Sequence, residues 1–70
     1  MNNQEQLQED GKFVLIENIW GGYGRIWGTF DTLEEAQNED MRLSWVSNLS
    51  IEYMSEDEIK KGISEGKLFY

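Results

Sequence analysis

Residues 12–30 read KFVLIENIWGGYGRIWGTF, and the fold turns on how that stretch divides. Lys12 to Trp20 is rich in β-branched and aromatic residues. Gly21-Gly22-Tyr23-Gly24 interrupts it, and Arg25 to Phe30 resumes the same character. Two such runs around a glycine-rich break are the signature of a β-hairpin. With Gly21–Gly24 as the loop, Trp20 pairs with Arg25, Ile19 faces Ile26 and Leu15 faces Phe30. Side chains alternate across a strand, so this register puts Phe13, Leu15, Ile19, Ile26 and Phe30 on one face. Val14, Ile16, Trp20, Arg25, Trp27 and Thr29 take the other. The first face reads as core, and the second is too apolar for plain solvent surface.

Downstream of the hairpin, Thr32 and Glu35 make an S/T-x-x-E capping box, with Asp31 as an alternative N-cap. The spacing predicts a helix over Thr32–Met41 whose acidic first turn suits the helix dipole. Its apolar side, Leu33, Ala36 and Met41, is thin, which lays it over the hairpin. Arg42–Val46 either extends this helix or starts a strand. Ser47-Asn48 reads as a turn, after which Leu49, Ile51 and Tyr53 alternate with Ser50, Glu52 and Met54, a half-buried strand pattern. Ser55-x-x-Glu58 opens a second helix, Glu56–Ile63, with Gly66 as its breaker. Lys67–Tyr70 reads as a last strand. The expected fold class is therefore α+β: a small antiparallel sheet, the N-terminal hairpin plus later strands, packed against one or two short helices. Residues 12–70 form its single domain, and the Asn/Gln/Glu-rich residues 1–11 a flexible lead. Leu15, Ile26, Phe30 and Ile51 are the expected core.

Composition narrows function more by exclusion than by motif. The 70 residues carry 14 Asp+Glu against 6 Lys+Arg, with no His, no Cys and no Pro, for a formal charge of −8. Such a field repels nucleic acid and anionic lipid and attracts basic protein surfaces. Without His or Cys, most nucleophile–base pairs and transition-metal sites cannot be built. Gly22, Gly24 and Gly28 have neither the spacing nor the following helix of a dinucleotide-binding loop. The carboxylates lack a calcium-loop pattern and sit in helix first turns or on exposed faces. No catalytic residue, metal or cofactor is expected. The N-terminus has neither a basic region nor an apolar run, so it does not read as a signal peptide. No stretch approaches the ~20 apolar residues of a membrane span, and the expectation is a cytoplasmic protein.

Two groups stand out as candidate partner-binding residues. Trp20, Arg25 and Trp27 share a face in the register above, with Tyr23 at the loop tip. Trp, Tyr and Arg dominate interface hot spots, and Arg25 stacked on an indole would contribute ~0.5–2 kcal/mol. The opposing reading covers this face with a helix and makes the tryptophans ordinary core. Stacking platforms for single-stranded nucleic acid need a positively charged groove, which this composition does not supply. The second group is Glu34, Glu35, Glu39 and Asp40 on the first helix. In size, acidity and α+β pattern the chain resembles the small acidic proteins with which phages and mobile elements antagonise host factors. Uracil-DNA glycosylase inhibitors, anti-restriction DNA mimics and several anti-CRISPR proteins are of that kind. They share a strategy without a sequence signature, so no functional residue carries over. The resemblance implies a non-enzymatic inhibitor that occupies a basic, nucleic-acid-binding surface of a partner protein. The alternative is a structural or homo-oligomer-forming module using the Trp-rich face or an edge strand.

Overall fold

In the computed structural model, which describes residues 11–70, Lys12–Ile19 (β1) and Tyr23–Phe30 (β2) form the hairpin. Leu33–Arg42 (α1), Leu49–Met54 (β3), Glu56–Ser64 (α2) and Leu68–Phe69 (β4) follow. The sheet order is β3-β1-β2-β4. β1 runs antiparallel to both β2 and β3, while β4 adds to β2 in parallel. The α+β fold with two packed helices is as expected, but the sheet is mixed. The reason is the helix before β4. β3 and β4 run the same way because α2 returns the chain to its starting end, and α1 does the same between β2 and β3. These two crossovers traverse the sheet in opposite directions, so right-handed connections place the helices on opposite faces. The lead expected over 1–11 falls, apart from Gly11, outside the described residues. Gly11 lies so close to the Tyr53 ring that a Cβ there would collide with it.

The hairpin register differs from the expected one. Ile19 pairs with Tyr23, so the loop is Trp20-Gly21-Gly22 and not Gly21–Gly24. Gly21 and Gly22 take positive φ, 95° and 88°, which glycine reaches without steric penalty. Gly24 is a different kind of glycine. It is buried within β2, and a Cβ there would fall 2.7 Å from Ile16 Cγ2 and 3.0 Å from Leu68 Cδ2. A second departure is a bulge. Ile16 pairs with Ile26 and Leu15 with Gly28, leaving Trp27 as the extra residue on β2. The bulge offsets the faces of the two halves of β2. The shorter loop already sets Ile26 opposite Ile16, on the face of Val14 instead of Leu15, and the bulge then keeps Phe30 on the expected face, though paired with Phe13 and not with Leu15.

Both faces of β1 are consequently core. Val14, Ile16 and Ile26 pack with Ile59 of α2, flanked by Met54 and Leu68. Leu15, pointing the other way, is fully buried on the α1 side, where Ala36 and Leu43 are buried too. Of the four expected core residues, Leu15 and Ile26 are buried, while Phe30 and Ile51 are half-buried. The face holding Val14 and Ile16, read from sequence as a possible binding surface, is interior.

The helices begin where their caps dictate. Thr32 accepts from the Glu35 backbone N–H while the Glu35 carboxylate accepts from the Thr32 N–H, at 3.2 and 3.3 Å. Ser55 and Glu58 repeat the arrangement at 3.1 and 2.8 Å. Each box satisfies two otherwise orphaned donors. Arg42–Val46 starts no strand: α1 ends at Arg42 and a turn follows. At Asn48, φ is 64°, and its carbonyl accepts from the Asn18 N–H at 2.9 Å, which seats β3 on β1.

Truncating Ile16 to Ala should cost about 2–5 kcal/mol in urea unfolding, as buried Ile truncations do. Gly24→Ala should also destabilise, because its methyl must displace Ile16 or Leu68. An unchanged midpoint for Gly24→Ala would show that Gly24 belongs to the loop and that the register is wrong.

Candidate binding surface

The two candidate groups belong to different elements, the hairpin and α1. Trp20 occupies the hairpin loop with 93% of its surface exposed, and Tyr23 opens β2 at 49%. Trp20 therefore does not share a strand face with Arg25 and Trp27, because shortening the loop moves it into the turn. Arg25 and Trp27 do come together. The Arg25 guanidinium lies 5.2 Å from the Trp27 ring centroid, within cation–π range.

Trp27 is held more firmly than sequence reasoning suggested. Its indole N–H donates to Glu17 Oε1 at 3.0 Å. Its ring meets Trp45 edge-on, with centroids 5.8 Å apart and planes at 85°, the T-shaped geometry that aromatic quadrupoles favour. Trp27 lies two residues beyond Arg25, which pairs with Glu17, so strand alternation brings all three to one side. Trp27 ends half-buried, while Trp45 remains 74% exposed. Neither Glu17 nor Trp45 was among the expected site residues. Trp45 sits in an irregular turn after α1, where no periodicity marks it. A lone carboxylate inside the apolar run of β1 was the available signal for Glu17.

The acidic group is partly spoken for. Glu34 is exposed in the first turn of α1. Glu35 caps the helix as described. Glu39 accepts from both Nε and Nη2 of Arg42, at 3.0 and 2.6 Å, a bidentate pair. Asp40 is half-buried. A shallow groove of about 630 Å³ runs along this helix, lined in part by Lys12, Asp31, Glu35, Glu39 and Arg42. Both of its cations are already matched, since Lys12 donates to Asp31 at 2.5 Å. That hydrogen bond raises the Lys12 pKa. In the same way the Arg42 hydrogen bonds hold the Glu39 carboxyl below its usual value.

Among the described residues, no three carboxylates converge as metal ligands, and no helix is long and apolar enough to cross a membrane. Comparison with known protein families, curated proteins and solved structures finds no match. The surface's meaning rests on its own geometry.

Replacing Trp20 with Ala should leave stability within about 0.5 kcal/mol, as exposed substitutions do. Trp27→Ala should cost about 1–3 kcal/mol by removing a half-buried indole with three partners. Equal effects in urea unfolding monitored by circular dichroism would contradict this division of roles. The Glu39–Arg42 pair adds a pH dependence. Glu39 titrates lower folded than unfolded, so the pair stabilises above the ordinary Glu value of 4.5 and fades as pH falls through the depressed value. Glu39→Gln should thus lower stability more at pH 7 than at pH 3, and less so in high salt, given the pair's exposure. An equal loss at both pH values would exclude the pair as the cause.

Proposed function

We propose that the protein is a non-enzymatic, cytoplasmic binding module that attaches to a basic, nucleic-acid-binding surface of a partner protein and so blocks it. The observation that carries this reading is Trp20, a large aromatic side chain 93% exposed at the end of a hairpin, on a body of formal charge −8. An exposed Trp contributes little to folding and is the residue type most enriched in interface hot spots. The surrounding charge supplies long-range attraction to a cationic surface and discourages self-association. In this reading Trp20 and Tyr23 are the anchors. Trp27, Arg25, Glu17 and Trp45 form the buttress that holds the base of the hairpin tip, and Glu34, Glu35, Glu39 and Asp40 contribute to steering. The absence of His and Cys favours binding over catalysis.

The two groups predict different kinetics against a partner captured on the immobilised protein. Changing Glu34, Glu35, Glu39 and Asp40 together to Gln should slow association and flatten its salt dependence, since steering scales with the field. Trp20→Ala should leave association nearly unchanged and speed dissociation about tenfold or more, as loss of an anchor does. Added duplex DNA should release the partner. Association that ignored both ionic strength and the charge change, with no competition from DNA, would refute the proposed mode of action.

A further inference from the structure

The sheet order leaves β3 at an edge, and hydrogen-bond alternation shows which of its backbone groups face outward. In an antiparallel ladder, directly opposed residues alternate between exchanging hydrogen bonds and turning away from each other. The Asn18 N–H donates to the Asn48 carbonyl, so the pairs Ile16–Ser50 and Val14–Glu52 are the bonded ones. Leu49 and Ile51 alternate with Asn48, Ser50 and Glu52 and turn their N–H and C=O groups away from β1. Among the described residues, no backbone hydrogen bond joins these outward groups to another element.

Edge strands of this kind are usually blunted by brevity, Lys, Pro or a bulge. β3 has six residues, contains neither Lys nor Pro, and pairs with β1 without a register shift. Its single charge is Glu52, which is exposed. No Lys or Arg occurs between Arg42 and Lys60, while Glu56, Asp57 and Glu58 open the helix that follows β3. The edge therefore offers backbone pairing on a stretch whose own charges, from β3 into the start of α2, are all negative. A second copy would bring its own Glu52 and −8 charge to that edge, and like charges across a strand pair destabilise it.

We propose that the outer edge of β3 is a docking strand for an extended, Lys- or Arg-bearing segment of a partner protein, which adds to the sheet by β-augmentation. This rests on the reading of the partner as basic and names a second point of attachment, independent of the hairpin tip. The added strand would place apolar side chains beside Leu49 and Ile51 on one face and a basic side chain beside Glu52 on the other, following the period of two.

The test uses the full-length, ¹⁵N-labelled chain and a synthetic eight-residue peptide alternating Val and Lys. Adding the peptide should protect the Leu49 and Ile51 amides from hydrogen exchange. Methylating alternate peptide nitrogens, which removes the donors facing β3, should weaken binding about tenfold. Glu52→Lys should weaken it as well. Three results would overturn the proposal. The first is protection of both amides already in the free, dilute chain, which would mean that the chain itself covers the edge. The second is protection growing with protein concentration alone, which would assign the edge to a second copy. The third is peptide binding that is absent, or that perturbs only Trp20, Tyr23 and Trp45. In that third case salt-dependent, DNA-competed capture of a partner would still stand or fall on its own result. Peptide docking at β3 without such capture would remove the inhibitor reading and leave the edge site.

Discussion

Val14, Leu15 and Ile16 are consecutive and all three are buried. In a strand, neighbours point to opposite faces, so a run of this kind can be satisfied only if both faces of the sheet are covered. A chain of 70 residues has little to spare for that purpose. It meets the requirement with one short helix per face, each starting at a reciprocal cap and each returning the chain to a parallel direction. Strand order, the sidedness of the helices and the parallel last strand follow from covering β1 twice.

The bulge at Trp27 answers the same constraint from the β2 side. With the register set by the Ile19–Tyr23 pair, an unbulged β2 would carry Phe30 to the face of Ile26, away from Phe13. With it, Ile26 packs with Ile59 on one side while Phe30 stays with Phe13 on the other, and Trp27 lies on the side where Glu17, Arg25 and Trp45 converge. The base of the tip is thereby braced by a hydrogen bond, a cation–π contact and an edge-on ring contact. Trp20, beyond the last strand pair, takes no part in that bracing. Folding and surface display are assigned to different tryptophans only a few residues apart.

The elements were legible in the sequence because their signals are local. Capping boxes at Thr32 and Ser55, the alternation of Leu49 to Met54 and the glycine break after Trp20 each act within a few residues. What stayed hidden depends on contacts between distant segments. Gly24 looks like a loop glycine, and it is glycine because Ile16 and Leu68 approach it from elsewhere in the chain. The bulge responds to two-sided burial of β1, which no window of sequence around Trp27 encodes. The direction of the last strand depends on where α2 delivers it. At the candidate surface, Arg25 and Trp27 proved to be neighbours, as their spacing along one strand implies. The separation of Trp20 from them, and the arrival of Trp45 from the turn after α1, required the loop length and the path of α1.

The closing strand has a consequence for the order in which the molecule comes apart. β4 contributes only two residues to the sheet, pairing with Gly24 and Arg25 across most of the chain's length. Leu68 is wedged between two glycines, since a Cβ on Gly62 would lie 2.5 Å from its Cδ1 and one on Gly24 3.0 Å from its Cδ2. A contact so distant in sequence carries a large loop-closure entropy and few bonds to offset it. The hairpin, by contrast, closes over three residues. β4 is thus the natural site of sub-global opening. It is a clasp that can detach while the antiparallel strands keep their ladder, and each detachment uncovers the strip of β2 around Gly24 that Leu68 otherwise seals.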